Sequence, residues 1–356
     1  MLENVLTTQN KLNIIYFVTL FIISILGYRL LFKHTGFLKK KNETGERFAS
    51  QSKPIIGGTM FFVSIVLGFI FTTIYGLYIG NTPNYTLLIC CVLAFGMGCV
   101  DDLKNFSPLF KLVFQIICAF LLIATNNHIE TSDNIFLNYL LTVFWVVGLM
   151  NSINMLDNMD GITASTSLII FAGLAGIATG LDTAIILSII ACLIAFLIWN
   201  WHPAKMYMGD NGSQLLGILL AYFSIKYVWN SGQTYLGFNH EQILFVGLMF
   251  LIPLTDTTTV AINRFLAGHS PFVGDRYHTT HCLVYKGLSI PKTVLLLDTI
   301  TIIGTVSSWF FITQKNALIS HEMSIVYILF CIIVFLSAYI MNLLIRKENN
   351  LLYKHD

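Results

Sequence analysis

Long apolar segments recur along the whole chain, and they limit the folds that it can adopt. Of its 356 residues, 56% are hydrophobic and only 11% are charged. Runs of roughly 17–25 apolar residues are long enough for a helix to cross a bilayer. A soluble globular domain and a disordered chain are therefore excluded. We predict an all-α polytopic membrane protein.

We predict about eleven transmembrane helices, with no internal repeat, so that residues 1–356 form a single domain. The first apolar run lacks a small-residue cleavage site, which indicates a retained span and not a signal peptide. The seven cysteines form no CxxC pair, so neither a disulfide framework nor a zinc site is expected. The spans are expected near residues 12–32, 55–79, 86–100, 109–125, 138–151, 163–181, 184–200, 213–231, 242–263, 293–313 and 323–345.

Lysine and arginine are unevenly distributed between the two sides that these spans define. Of the 20 basic residues, Lys11, Lys226 and Lys315 fall on one side and the other 17 on the opposite side. The positive-inside rule makes the basic side cytoplasmic. The N-terminus is then outside and the C-terminus inside. The polar clusters also lie on the basic side, so we expect a cytoplasmic site in a cell inner membrane.

The segment "VDDLKNFSPLFK" places Asp101 and Asp102 at the end of a span, with Lys104 and Lys111 close behind. Adjacent carboxylates repel each other unless a cation lies between them. A divalent metal or a proton-transfer role would account for the pair. The alternative is an acidic helix end solvated by water.

The segment "NSINMLDNMDG" carries Asn151, Asn154, Asp157 and Asp160 at successive i, i+3 positions. This spacing places the four side chains on one face of a helix. They could provide oxygen ligands for Mg²⁺ or hydrogen-bond partners for a nucleotide. The alternative is a polar helix end that emerges into water.

Two further clusters contain residues that could bind phosphate. In "MGDNGSQLLG", Asp210 precedes a new helix, whose first N–H groups favour an anion, either phosphate or Asp210 itself; simple N-capping is the alternative. In "DRYHTTH", His278 and His281 lie one turn apart beside Arg276. Mixed Arg and His favour phosphate oxygens over zinc, and a loop at the lipid headgroups is the alternative. Asp256 lies within a span and is not assigned to the site.

Oxygen ligands, cations and glycine turns at one membrane face are typical of Mg²⁺-assisted phosphoryl transfer on a lipid substrate. A secondary transporter is an alternative, but transporters tend to place ionisable groups near the midplane between related halves. A CDP-alcohol phosphotransferase is another. In that family the helix continues with Ala-Arg after Asp-Gly, whereas this chain has the different sequence "DGITASTSLIIFAG".

Five motifs in order resemble those of the polyprenyl-phosphate N-acetylhexosamine-1-phosphate transferases, which have eleven spans and a cytoplasmic site. The resemblance covers about residues 53–290. The motifs are "KPIIGG", "DDLKNFSPLFK", "NSINMLDNMDG", "GDNGS" and "DRYHTTH".

The chain departs from these motifs at two positions. Asn158 stands where the family has the first Gly of Asp-Gly-x-Asp-Gly, and Thr280 stands where many members carry a middle His. The triple His of the peptidoglycan branch is absent. This argues against a phospho-MurNAc-pentapeptide transferase, which stays an alternative, and favours a simpler UDP-N-acetylhexosamine, with GlcNAc first.

The resemblance implies transfer of a sugar 1-phosphate from a UDP-sugar to a polyprenyl, or undecaprenyl, phosphate. UMP is released, and a lipid-linked cell-envelope glycan begins. Mg²⁺, or Mn²⁺, would be held by Asn154 and Asp210. No nucleic acid is involved, and a homodimer is left open. The remaining residues of the implied site are Asp101, Asp102, His278 and His281 for catalysis and Lys53, Lys111, Asn151, Asp157, Asp160 and Arg276 for substrate binding.

Overall fold

The computed structural model describes residues 2–34, 39–40, 53–104, 106–231, 240–266, 268, 278–314 and 321–352. Within these ranges the chain is almost entirely helical, as predicted. The helices are α1 (Leu2–His34), α2 (Gly57–Ile79), α3 (Tyr85–Lys104), α4 (Pro108–Ala124), α5 (Ile135–Leu156), α6 (Ile162–Ala175), α7 (Leu181–Asn200), α8 (Asp210–Ser224), α9 (His240–Met249), α10 (Leu251–Leu266), α11 (Thr279–Tyr285), α12 (Ile290–Thr313) and α13 (His321–Leu352).

Several of these helices are long and apolar enough to cross a membrane, which confirms a multi-pass membrane protein. Seven helices in the described ranges meet this requirement, and eight do if α9 and α10 are counted as one span. The apolar helices α4 and α6 are shorter. The predicted spans coincide with helices, but the count of eleven stays a prediction.

The ninth predicted span, 242–263, is not a continuous helix. The structure breaks it between α9 and α10, which meet at an angle of 86°. The physical reason is Pro253 in the first turn of α10, because a proline ring clashes with the carbonyl four residues earlier and donates no hydrogen bond. The broken helix positions α10 separately from α9.

Helix α8 lies at the centre of the bundle and is buried on all sides. Every residue from Asn211 to Ser224 is buried, and α8 packs against α2, α3 and α5. A helix that is apolar around its whole circumference is expected in such a position. It continues into a π-helical turn at Ile225–Trp229.

Glycines allow the first turn of α8 to approach its neighbours closely. A Cβ atom on Gly58 in α2 would lie 1.8 Å from Oδ1 of Asn211, and one on Gly98 in α3 would lie 2.4 Å from the Asn211 Cα. A Cβ on Gly212 would lie 2.9 Å from the Gly58 Cα. The three helix ends therefore meet backbone to backbone, a packing that any larger residue would prevent.

A small β-structure supports the same helix end. Strands β1 (Lys39–Lys40) and β2 (Lys53–Pro54) pair antiparallel, and Ile55 forms a parallel bridge with Tyr207. The Tyr207 N–H donates to the Pro54 carbonyl, and the Gly57 N–H donates to the Tyr207 carbonyl, both at 3.0 Å. The "KPIIGG" motif thus holds the segment that leads into α8.

Candidate active site

Asp101, Lys111 and Asp210 form a charged cluster where α3, α4 and α8 meet. The Lys111 Nζ lies 2.7 Å from Oδ2 of Asp101 and also donates to Oδ2 of Asp210. The Lys111 ammonium group therefore lies between Asp101 and Asp210, whereas the sequence suggested a divalent metal or a proton between Asp101 and Asp102. Three distant sequence segments converge in this cluster.

Asp102 makes a different set of contacts from its neighbour. Its carboxylate accepts hydrogen bonds from the backbone N–H groups of Asp210 at 3.1 Å and Asn211 at 3.2 Å, and from the Asn211 side chain at 2.9 Å. The sequence predicted phosphate or Asp210 itself as the anion at the start of α8. In the structure, Asp102 of α3 places its carboxylate there and positions Asp210.

Asn154 joins α5 to the cluster. Its Nδ2 donates to Oδ1 of Asp210 at 3.1 Å and to the Ser213 hydroxyl at 2.8 Å. Burial would raise the pKa of Asp210, whereas hydrogen bonding to Asp101 and the charge of Lys111 lower this pKa to about 2. Asp210 therefore carries a negative charge at neutral pH.

A layer of amide side chains lies beside this cluster. Gln115 donates to Oδ1 of Asn151 at 3.2 Å and to Oε1 of Gln214 at 3.1 Å, and Asn151 donates back to Gln115 at 2.9 Å. Asn151, predicted to bind substrate, is thus hydrogen-bonded to Gln115 of the neighbouring helix α4. Sequence reasoning missed Gln115 and Gln214, although uncharged polar residues in otherwise apolar helices were a signal.

The predicted polar stripe extends over a shorter part of α5 than expected. The helix ends at Leu156 with Asp157 as its C-cap, so Asp160 lies beyond the helix and not on its face. Oδ2 of Asp160 instead accepts from the Ala204 N–H at 3.0 Å and lies 2.9 Å from Nδ1 of His202. The placement of all four residues on one helical face was therefore wrong, since the helix turns away before Asp160.

Asp256 and His278 form a buried acid–histidine pair. Oδ2 of Asp256 lies 2.8 Å from Nδ1 of His278, and Oδ1 accepts from the Thr279 N–H at 2.7 Å. Because a carboxylate accepts, His278 donates from Nδ1, which leaves Nε2 as its other hydrogen-bonding nitrogen. Asp256 was noticed in the sequence but left unassigned, although an acid within a span is a recognised signal of function.

The end of α5 also contacts the helix that carries the second histidine. The Asn158 carbonyl lies 3.3 Å from Nε2 of His281, and the His278 and His281 rings are 5.7 Å apart. Asn154 touches the charged cluster about one helical turn earlier in the chain. The end of α5 therefore joins the acid–lysine cluster to the histidine helix α11.

Lys53 and Arg276 are the two other residues that were predicted to bind substrate. Lys53 is buried, and its Nζ lies 5.2 Å from the centre of the Tyr207 ring. This cation–π contact holds it against the segment that precedes α8. Arg276 lies outside the described residues.

The donor atoms of the charged cluster suit a magnesium ion that also binds a substrate. Among the described residues, no group of three or more His, Cys, Asp or Glu side chains is placed to hold a metal. Mg²⁺, however, is commonly held by one or two carboxylates together with substrate phosphates and water. Asp101, Asp210 and the Asn154 amide offer the required oxygen atoms.

The sequence of this chain is similar to a known family and to several named relatives. The sequence model of glycosyl transferase family 4 matches residues 84–228. A Bacillus subtilis protein named a probable undecaprenyl-phosphate N-acetylglucosaminyl 1-phosphate transferase is 29% identical over 78% of this chain and 77% of its own length. An Escherichia coli undecaprenyl-phosphate alpha-N-acetylglucosaminyl 1-phosphate transferase is 27% identical over 83% and 81%.

A third relative bears a different name within the same group. The phospho-N-acetylmuramoyl-pentapeptide-transferase of Staphylococcus carnosus is 31% identical over 63% of this chain and 78% of its own length. The matched region includes the acid–lysine cluster, since the family model covers all helices from α3 to α8.

Proposed function

Because this chain belongs to glycosyl transferase family 4, as its motifs and relatives show, we propose that it transfers N-acetylglucosamine 1-phosphate from a UDP-sugar to undecaprenyl phosphate. In the net reaction, a lipid phosphate oxygen forms a bond to the β-phosphorus of the UDP-sugar. The bond from that phosphorus to the oxygen of the UMP phosphate breaks, and UMP leaves with the electron pair. The lipid product starts a cell-envelope glycan.

One observation carries the proposal: Lys111 joins two carboxylates from different helices at one end of the bundle. Phosphoryl transfer needs the negative reactants to be aligned and their charge to be balanced. A paired cation and two acids perform both tasks, because the lysine attracts phosphate oxygens while the acids bind a metal or a proton.

The individual residues then have distinct tasks. Asp101 orients the attacking lipid phosphate or accepts its proton, and Lys111 binds phosphate oxygens. Asp102 keeps the first turn of α8, and with it Asp210, in place. Asp256 accepts from His278 Nδ1 and thereby directs Nε2 to the diphosphate; as an imidazolium ion, His278 would donate from Nε2 to a phosphate oxygen.

We propose Asp210 and Asn154 as the residues that hold Mg²⁺. A bound Mg²⁺ would neutralise the charge that develops on the diphosphate. The ionised state of Asp210 and the oxygen chemistry of both side chains support this assignment.

N-acetylglucosamine is favoured over MurNAc-pentapeptide for two reasons. Two of the relatives described above carry the name of an N-acetylglucosaminyl 1-phosphate transferase. In addition, the histidine motif has Thr280 in its middle position and lacks the triple His of the peptidoglycan branch. The relative from Staphylococcus carnosus makes the pentapeptide substrate the second candidate.

A substrate panel tests the proposed function directly. Purified protein in detergent is incubated with undecaprenyl phosphate and, separately, UDP-GlcNAc, UDP-GalNAc and UDP-MurNAc-pentapeptide. We expect stoichiometric UMP and lipid-linked GlcNAc with UDP-GlcNAc. Product with the pentapeptide donor alone would replace this proposal by the second candidate, and UMP without lipid product would contradict transfer.

We propose that the site faces the cytoplasm of a bacterial inner membrane, and cysteine labelling in intact cells tests this orientation. The exposed residues Asn81 and Asp133 lie in loops at the end of the bundle opposite Lys205, which is also exposed. Cysteine at Asn81 or Asp133 should react with an impermeant maleimide, and cysteine at Lys205 should react only after lysis. The reverse pattern would place the site outside. The parent protein is the labelling control, since its own cysteines are buried or half-buried.

Metal dependence is expected from the oxygen donors of the cluster. EDTA should stop UMP release, and Mg²⁺ or Mn²⁺ should restore it, because the carboxylates and the diphosphate repel each other without a divalent cation. A Zn²⁺ addition serves as control, since the site lacks nitrogen and sulfur ligands in zinc geometry. Full activity in EDTA would contradict the assignment.

A further inference from the structure

The two positions at which the chain departs from the family motifs are in direct contact. The Thr280 hydroxyl donates to Oδ1 of Asn158 at 2.6 Å. Both residues are buried, with Asn158 exposing 6% and Thr280 0% of its surface. The positions lie 122 residues apart in the chain, so only the fold brings the departures together.

The surroundings of Asn158 determine how its amide is oriented. Nδ2 donates to the Met155 carbonyl at 2.9 Å, which directs Oδ1 to the Thr280 hydroxyl. The backbone carbonyl of the same residue accepts from Nε2 of His281 at 3.3 Å. Asn158 therefore holds two consecutive residues of α11 at the end of α5.

We propose that Asn158 and Thr280 are a matched positioning pair that fixes α11, and hence His278 and His281, relative to the proposed metal residue Asn154 of α5. The role of the histidines in this statement rests on the proposed function. In the family motifs that the sequence resembles, these two positions carry glycine and histidine.

Asn158 and Thr280 must match for both steric and hydrogen-bonding reasons. Glycine at position 158 would leave the Thr280 hydroxyl without its acceptor and would open a space beside it. A buried donor without a partner lowers the stability of the folded state. Histidine at position 280 would collide with the Asn158 amide, because only 2.6 Å separates the two oxygens. With glycine and histidine together, the imidazole can occupy the volume that the amide vacates.

The backbone at position 158 permits this exchange. Asn126 is the one non-glycine residue with positive φ in the described part of the chain. Asn158 therefore has a conformation that ordinary residues adopt, and glycine is not required there for backbone reasons. The side chain is free to serve in the contact with Thr280.

Single variants at Thr280 test the hydrogen bond. Thr280→Val keeps the shape but removes the hydroxyl, and we expect kcat to fall about tenfold with little change in KM for UDP-GlcNAc. Thr280→Ser keeps the donor and should stay within about threefold of the parent. Thr163→Val is the matched control, because the Thr163 hydroxyl is buried without a partner among the described residues. Wild-type kcat for Thr280→Val would overturn the proposal.

A double-mutant cycle tests the matching. Asn158→Gly and Thr280→His should each lower kcat about tenfold, and the double variant should return to within about threefold of the parent. Multiplied losses in the double variant would contradict a matched pair. Melting temperatures are measured for all variants. If the two substitutions were coupled in their effects on melting temperature but not on kcat, the pair would contribute to stability alone, and its positioning role would be overturned.

The melting cycle also separates this proposal from the proposed function. If the parent protein transferred no sugar phosphate, the proposed function would fail on its own. Coupling between the two substitutions in melting temperature would then still report the contact between Asn158 and Thr280. Independent effects on melting temperature would refute that contact.

Discussion

Asp210→Asn is expected to reduce turnover by about 100- to 1000-fold, the range seen when one preorganised electrostatic contact to a transition state is removed. The substitution keeps the size of the side chain but removes its charge. Lys111 would lose one of its two carboxylate partners, and the proposed Mg²⁺ would lose its charged ligand. UMP release by purified protein, at matched protein amounts, gives the measurement.

A second aspartate–lysine pair provides the control for this experiment. Asp182 and Lys226 form an ion pair, with 2.6 Å between Oδ2 and Nζ, at the opposite end of the bundle. Asp182→Asn removes the same kind of charge and should leave turnover within about threefold of the parent, as is usual away from special features. Equal losses in both variants would indicate general damage, and a loss of less than tenfold in Asp210→Asn would contradict its assigned role.

Asp256→Asn is expected to lower kcat by about 10- to 150-fold, which corresponds to the loss of one charge-assisted hydrogen bond. The carboxylate accepts from His278 Nδ1 and from the Thr279 N–H. An asparagine can accept at its oxygen, but its NH₂ group faces the second donor. The His278 ring would then lose its fixed orientation at the diphosphate.

The matched control for Asp256 is another acid within a helix of the bundle. Oδ1 of Asp298 accepts from the Thr166 hydroxyl at 3.2 Å, and an asparagine oxygen can accept the same bond. Asp298→Asn should therefore retain turnover within about threefold.

The helical framework could be predicted because hydropathy is summed over many residues. The apolar runs in the sequence lie largely in helical structure, although the run 242–263 is divided between α9 and α10. The positions of the polar clusters at helix ends followed from the same pattern. The break at Phe250 was not predicted, although Pro253 was visible. A proline tolerated within a span and one that ends a helix give the same sequence pattern, and tertiary packing decides between them.

The site could be predicted as a set of residues but not as a set of contacts. Asp101, Lys111, Asn154 and Asp210 were identified and do meet. The different tasks of Asp101 and Asp102 depend on which carboxylate faces the start of α8. The sequence of two adjacent aspartates does not indicate which of them has this orientation. Asp256 was left unassigned for a similar reason, since its partner His278 lies 22 residues away.

The backbone contact of α2, α3 and α8 at Gly58, Gly98 and Asn211 has a mechanical consequence. Helices that touch through their main chains cannot slide or rotate without collision, because no flexible side chain lies between them. We therefore expect the Cα atoms of Asp101 and Asp210 to keep one spacing throughout the catalytic cycle. We expect any closure around a bound substrate to come from the side of α10 and α11. We expect an inhibitor that binds the acid–lysine cluster to meet the same shape in the empty and the loaded enzyme.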